Sequence, residues 1–374
     1  MAIHSSRALA SVDVRAFLVV VLSAGCHRST QLYRHLHNDR AVNYRKGQGH
    51  EEASMKPSRV RWDQLPGSVH HRVAEILGSP VSVDTLQTHG TTPGVASRVV
   101  TADGSHAFVK VGHCAINEDI PGLNRREATL LSLLPDTAPS PRLLGRIDVD
   151  GWVGLVTSDI EGPHPQLPWS DEDIDTALAS LSRLAEVTAG FFQPWESFSA
   201  RLHNTPSVWE EFMTDAPADL DPWLIERLPD LAGRVERLTR HANGDTVIHG
   251  AVRSDNVLLR TDGAVLVDWS HALIGPAWVD AAGLIVDIIH TDPIDAPRWN
   301  RADALVKHVA AEFSPSTHGE PAVEPIVDLL VAVLGISERE CRKPDPAGMP
   351  QLREFQRERA SRLRAWLWAS EHLA

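Results

Sequence analysis

The chain has 374 residues and a mass of 41.0 kDa, enough for two or three folded units and a sizeable core. Apolar residues make up 43% and charged residues 23%, which excludes a largely disordered chain. A net charge of −13 excludes a large nucleic-acid footprint, because phosphate binding needs a concentrated basic surface.

Residues 1–54 stand apart. They hold both tyrosines, Tyr33 and Tyr44, and seven Lys/Arg against four Asp/Glu, so the −13 of the whole chain concentrates to −16 over residues 55–374. Arg7 and Arg15 ahead of Ala16–Cys26 superficially match an export signal with a lipid-attachment cysteine. Asp13 within the basic region and Ser23 close to the cysteine speak against that reading. The segment is expected to be an atypical N-terminal extension, poorly ordered or lying upstream of a true start at Met55.

Extended segments follow. Val81–Gln87, Val95–Ala102 and Ser105–Val111 read as strands, with Asp103-Gly104 supplying the positive φ of a tight turn between the last two. A helix is expected over Arg125–Leu134, capped by Asn124 and carrying Ala128, Leu131 and Leu134 on one stripe. Trp152–Thr157 is a further apolar strand, and Asp159–Pro165 a Gly/Pro-rich connector.

The chain then turns helical. Asp173–Gly190 shows helical spacing of Ile174, Leu178, Leu181 and Leu184. Thr205-Pro206 and Asp221-Pro222 place proline just inside a helix start, and Gly244 closes the second of these regions. Further helices are expected at Ala322–Ser337 and Gln351–His372, with Trp366 and Trp368 packing the last one. His271, His290 and Asp292 suit the lining of a cleft, but lone polar residues after a strand are usually solvated, and these are read so.

Cys26, Cys114 and Cys341 are odd in number and far apart, which suits a cytoplasmic protein without a disulfide framework. The 19 histidines show no zinc spacing. Ala16–Gly25 is too short to span a bilayer and Pro325–Gly335 is interrupted by Asp328, so no membrane partner is expected.

Chemistry concentrates between residues 247 and 270. Strands at Val257–Leu259 and Ala264–Val267 flank an Asp262-Gly263 turn, which gathers His249 to Asn256 at one strand end and Asp268 at the other. Asn256 and Asp268 offer hard oxygen ligands that a hairpin brings to one Mg²⁺; equally, Asn256 suits a turn and Asp268 a strand end.

The segment His249-Gly-Ala-Val-Arg-Ser-Asp-Asn256, followed by Asp268-Trp269, resembles the catalytic and metal-binding segments of the aminoglycoside phosphotransferase and choline kinase group, small-molecule relatives of protein kinases. Gly275-Pro276 and Asp280 resemble the continuation in that group. The resemblance implies an α+β, two-lobed protein-kinase-like fold. A β-rich lobe over residues 55–160 would bind nucleotide phosphates, and a larger α-helical lobe over 161–374 would carry the catalytic and metal-binding loops. It implies ATP or GTP as phosphate donor, Mg²⁺, and the hydroxyl of a small polar molecule as acceptor. Asn256 and Asp268 would hold the metal and His249 would support the loop. The turn from Gly90 to Gly94 would cover the phosphates, and Ser158–Gly162 would be the hinge that meets the base. Lys110, one of only five lysines against 31 arginines and set inside an apolar strand, would bind the phosphates and pair with Glu127. Glu127 also fits a capping-box role three residues after Asn124. The −16 charge suits a cationic, aminoglycoside-like acceptor and equally a soluble acidic protein.

One position departs from the pattern. Ala251 stands where the group has the aspartate that accepts or orients the acceptor's hydroxyl proton. A positioned general base contributes roughly 10²–10⁴-fold, so activity is expected to be weakened or lost. The alternative is an inactive protein that retains nucleotide or small-molecule binding. A protein kinase is disfavoured, because His-Arg-Asp, Asp-Phe-Gly and Ala-Pro-Glu are all missing.

Overall fold

The β-branched runs of the front half pair into one antiparallel sheet. In the computed structural model, which describes residues 59–88, 90, 93–191, 193–204, 207–293, 296–313, 323–370 and 372, helix α1 (Gly67–Leu77) precedes strands β1 (Val81–Leu86), β2 (Val95–Thr101) and β3 (His106–His113). Helix α2 (Ile120–Leu131) and strands β4 (Leu143–Val149) and β5 (Trp152–Ser158) complete this part. The strand order is β1-β2-β3-β5-β4, antiparallel throughout. The expected turn between β2 and β3 is present, with Gly104 at φ +86°. The N-terminal extension and Thr205-Pro206 lie outside the described residues.

Alternation along β3 sends Ala107, Val109 and Val111 into an apolar cluster with Val69 and Val73 of α1 and Val95 and Val99 of β2. Lys110 therefore faces the other side of the sheet, where α2 lies. Helix α2 begins five residues earlier than expected. Asp119 precedes it and Pro121 sits in its first turn, so Asn124 is an interior residue whose Nδ2 donates to Val153 O at 2.9 Å. Glu127 is thus no capping-box partner of Asn124. The start of α2 approaches β3 closely: a Cβ at Gly112 would stand 2.3 Å from Ile120 Cγ2.

The remaining elements are mainly helical: α3 (Asp171–Val187), α4 (Phe198–His203), α5 (Val208–Thr214) and α6 (Pro222–Leu238). Strand β6 (Thr246–Ile248) pairs with β9 (Leu273–Gly275), and β7 (Val257–Arg260) with β8 (Gly263–Leu266). Helices α7 (Trp278–Thr291), α8 (Ala296–Phe313), α9 (Glu324–Glu340) and α10 (Leu352–Ala369) end the fold. Asp221 caps α6 as expected, accepting from Trp223 N. A second, larger core is centred on α7 and α9, where Leu284, Ile285, Ile288, Leu330, Val331 and Leu334 are buried. Ala128, Leu130 and Leu131 of α2 join it, so the helix that meets β3 at Gly112 also packs into this core.

The two tryptophans of α10 differ: Trp366 is fully buried, whereas Trp368 is 67% exposed. Trp368 does not pack the helix, because only one of two residues spaced by two can lie on the buried face. His271 and Asp292 are buried rather than solvated. Among the described residues no helix is long and apolar enough to cross a membrane. Trp366→Ala is expected to destabilise the fold by about 3–5 kcal/mol and Trp368→Ala by less than about 0.5 kcal/mol, as measured by urea unfolding.

Candidate active site

Three elements distant in sequence meet at one ammonium group. Lys110 Nζ on β3 lies 2.8 Å from Glu127 Oε2 on α2 and 2.7 Å from Asp268 Oδ1, just beyond β8. Burial works against the Lys110 charge, but Asp268 and Glu127 outweigh it and hold its pKa above the ordinary lysine value. Burial also opposes ionisation of Asp268, yet Lys110 prevails and its carboxyl stays below the usual range. Glu127 is pushed up by burial and by Asp268, against the pull of Lys110. Glu127 Oε1 accepts from Trp269 N at 3.2 Å, and Ser270 Oγ donates to Asp268 Oδ1 at 2.8 Å. Asp268 adopts φ +65°, a left-handed conformation that aspartate tolerates better than most residues. That turn breaks the strand and aims the carboxylate back toward the sheet.

The triad borders a cavity of about 560 Å³, within the range that holds a nucleotide-sized molecule. Asp255, Asn256, Gly90 and the connector from Ser158 to Ile160 share its walls. Gly94 does not line it. A Cβ there would stand 2.7 Å from Val111 O at φ +112°, so the glycine is required by sheet packing. His89, Thr91 and Thr92 of the same turn lie outside the described residues. Arg59 also borders the cavity, with Nη2 3.5 Å from Gly90 O. Sequence reasoning missed it because an isolated arginine before the first helix carries no pattern.

The loop from His249 to Asn256 is held from every side. His249 is buried, and its Nε2 lies 2.9 Å from Val267 O. A carbonyl only accepts, so Nε2 carries the proton. Burial lowers the pKa of His249 to about 4, leaving a neutral ring packed edge-on against Trp269 at 4.7 Å. Asp280 accepts from His249 N at 2.6 Å and Gly250 N at 2.8 Å, and burial raises its carboxyl to about 6. Gly250 takes φ +75°, which lets both amides converge on that one carboxylate. Asn256 Nδ2 donates to Ala251 O at 2.9 Å, and Val267 N donates to Asn256 O at 2.9 Å. The side-chain amide therefore closes the loop, while the backbone carbonyl joins it to the segment between β8 and Asp268.

Ala251 is only 3% exposed and lines a second, apolar cavity rather than the one beside Lys110. Asp255 does not replace the missing carboxylate. It pairs with Arg253, whose Nε donates to Oδ1 at 2.9 Å, and it lines the Lys110 cavity instead. A Mg²⁺ ion bound with phosphates needs only one or two protein oxygens, and the ionised Asp268 with the Asn256 amide in one wall fits that demand. Among the described residues no cluster of three or more His, Cys, Asp or Glu forms an all-protein metal cage.

The family model described as the phosphotransferase enzyme family matches residues 96–313. No curated protein matches the sequence. Two crystal structures of thermostable mutants of aminoglycoside phosphotransferase APH(4)-Ia share the fold. One, a ternary complex with ADP and hygromycin B, gives a TM-score of 0.51 at 14% identity, covering 80% of this chain and 98% of that one. The other, with AMP-PNP and hygromycin B, gives 0.52 at 13% identity, covering 80% and 99%. The two-lobed α+β fold is thus the kinase-like one that the motif resemblance implies.

Lys110→Met strands two buried carboxylates and is expected to destabilise the fold by about 3–5 kcal/mol at pH 7. In that variant a folded-state carboxyl titrates above its unfolded value, so the folded form binds the extra proton and stability is regained as pH falls. Denaturant unfolding at pH 7 and pH 5 checks both the loss and its partial recovery.

Proposed function

The chain belongs to the phosphotransferase enzyme family, and from that premise we propose that it binds a nucleoside triphosphate beside Lys110 and passes the γ-phosphoryl group to a hydroxyl of a small molecule seated on the Ala251 side of the loop. The observation that carries this reading is a single loop between two cavities: Gly250 to Arg253 line one, and Asp255 and Asn256 line the other. ATP and GTP are both candidate donors. The family neighbours that hold a nucleotide and hygromycin B together support a two-ligand arrangement.

In this reading Lys110 donates to the phosphate oxygens, and Glu127 fixes the ammonium in place. Asp268 and Asn256 would hold Mg²⁺, which supplies charge neutralisation on the phosphates. The acceptor oxygen forms the new bond to the γ-phosphorus as the bond to the bridging oxygen breaks, and the nucleoside diphosphate leaves. His249 holds the Val267 carbonyl and takes no proton, since its neutral ring is already committed through Nε2. With alanine at 251 the acceptor's proton passes to solvent rather than to a positioned carboxylate. Transfer then relies on positioning and charge stabilisation alone, and is slow.

Ala251 also motivates a second reading, a nucleotide-binding protein without turnover. Ala251→Asp separates the two. Nucleoside diphosphate release, with water or an added alcohol as acceptor, is expected to rise by about 10²–10⁴-fold in this variant. Wild-type release at a slow but measurable rate supports the enzyme; none at all supports the binding protein. Equal rates in both forms would overturn the account of position 251.

A further inference from the structure

The cavity against Ala251 is small, about 110 Å³, somewhat below the 150 Å³ or so that accommodates benzene in a protein core. Its walls are mostly apolar, Phe198, Leu202, Val279, Leu329, Val333 and Ile336 among them, with seven polar side chains: the hydroxyls of Ser207 and Thr239, and Asp280, Asp287, Arg253, His290 and Arg359. The carboxylates are already engaged. Asp280 accepts from His249 N and Gly250 N, and Asp287 Oδ2 from Trp169 Nε1 at 3.0 Å and Ser254 N at 2.9 Å. A polycationic acceptor placed here would lose its hydration and meet only two carboxylates, each already accepting two N–H groups, a cost of several kcal/mol for every charge left unpaired.

The basic side chains point to a different demand. Arg253 is 8% exposed; Nε and Nη2 hold Asp255, but Nη1 is buried with no hydrogen-bond partner among the described residues. His290 Nδ1 is likewise buried and unpartnered among the described residues. Arg253 and Arg359 carry their guanidinium carbons 5.5 and 5.4 Å from the centre of the Phe355 ring, and His290 meets the same ring edge-on at 4.5 Å. Burial, then repulsion by Arg253, lowers Arg359 to about 9, and burial with three nearby arginines keeps His290 neutral, at about 3. Of the unmet atoms on this cavity, Arg253 Nη1 can only donate, whereas His290 Nδ1 and the Ser207 hydroxyl, also buried and unpartnered among the described residues, can donate or accept.

We infer that this cavity selects an alcohol with a compact apolar body and a hydrogen-bond-accepting oxygen directed at Arg253, and that it rejects aminoglycoside-like polycations. The inference rests on the phosphotransferase reading above and sharpens its acceptor. It departs from the expectation drawn from overall charge, because the −16 of residues 55–374 is not what lines the site. A carboxylate or carbonyl oxygen on the ligand would satisfy Arg253 Nη1, and a charge-assisted bond of that kind is worth about tenfold or more in affinity.

Three probes with the same six-carbon body and terminal hydroxyl test this: 6-hydroxyhexanoate, 1-hexanol and 6-amino-1-hexanol, alongside hygromycin B. Their dissociation constants are measured on the full chain by saturation-transfer NMR, and ATP–Mg²⁺ thermal shifts are recorded on the same samples. The expected order is 6-hydroxyhexanoate, then 1-hexanol, then 6-amino-1-hexanol, with about tenfold or more between first and last. Gly283 on α7 lines the cavity and an added Cβ meets nothing within 4 Å, so Gly283→Leu fills it without a backbone clash. That variant should fold at least as stably, keep its nucleotide response, and lose about tenfold or more of probe binding. Arg253→Met should remove the advantage of the carboxylate probe.

Tighter binding of 6-amino-1-hexanol or hygromycin B would overturn the inference. So would unchanged probe binding in Gly283→Leu, or no probe binding in samples that still respond to nucleotide. Probe binding without any nucleotide response would instead sink the phosphotransferase reading and leave the cavity's selectivity standing.

Discussion

The Lys110 ammonium is shared by two carboxylates that arrive from opposite parts of the chain, Glu127 from the front half and Asp268 from the back. Each partner would be costly to bury alone, so the three groups are mutually required. The consequence is geometric. Strand β3, helix α2 and the end of strand β8 are fixed relative to one another at one point, on the wall of the larger cavity. The close approach at Gly112 and the packing of Ala128, Leu130 and Leu131 of α2 into the larger core serve the same arrangement, since they set where Glu127 stands.

From that point the loop follows. Asp268 directly follows Val267, whose carbonyl holds His249 and whose amide donates to Asn256 O. Asp280 fixes the other end by gathering two successive amides. The loop is thereby a rigid partition between a polar, carboxylate-bearing cavity and an apolar, arginine-edged one. Two ligands placed on its two sides would approach one another across Ala251 and Asn256. In this chain the partition is complete except for the acid at position 251.

The legible parts of the fold were those with a local signal. A lysine inside an apolar strand is conspicuous in a chain with so few lysines, and alternation along β3 predicts which side of the sheet it faces. The His249–Asn256 spacing and the following Asp268-Trp269 pair were legible for the same reason. Asn124 was misread as a cap because serine-, asparagine- and aspartate-led starts look alike, whereas Pro121 and the packing of Ile120 on Gly112 set the earlier start. Gly94 was read as a phosphate-facing residue, but its lack of a side chain answers the Val111 carbonyl. Helix α7 escaped because it is buried almost all round. Its polar residues Asp280 and Asp287 are themselves buried among Ile285, Val286, Ile288 and Ile289, so no solvated face marks the period. The apolar cavity escaped with it, since Val279, Asp280, Gly283 and Asp287 all belong to α7. No spacing rule links them to Arg253 or Phe355; only the tertiary packing does.

Whether the Lys110 cavity is a phosphate and metal site is tested most directly by thermal unfolding of the full chain with ATP or GTP, in the presence of Mg²⁺ and then of EDTA, for the wild type and for Asp268→Asn and Asn256→Ala. Nucleotide at about 100 times its dissociation constant should add roughly 2.7 kcal/mol of stability, a shift of a few degrees for a chain of this size. The account predicts a shift that needs Mg²⁺ and is lost or sharply reduced in both folded variants. No shift with either nucleotide in the folded wild type, or a shift indifferent to Mg²⁺ and to both substitutions, would contradict it.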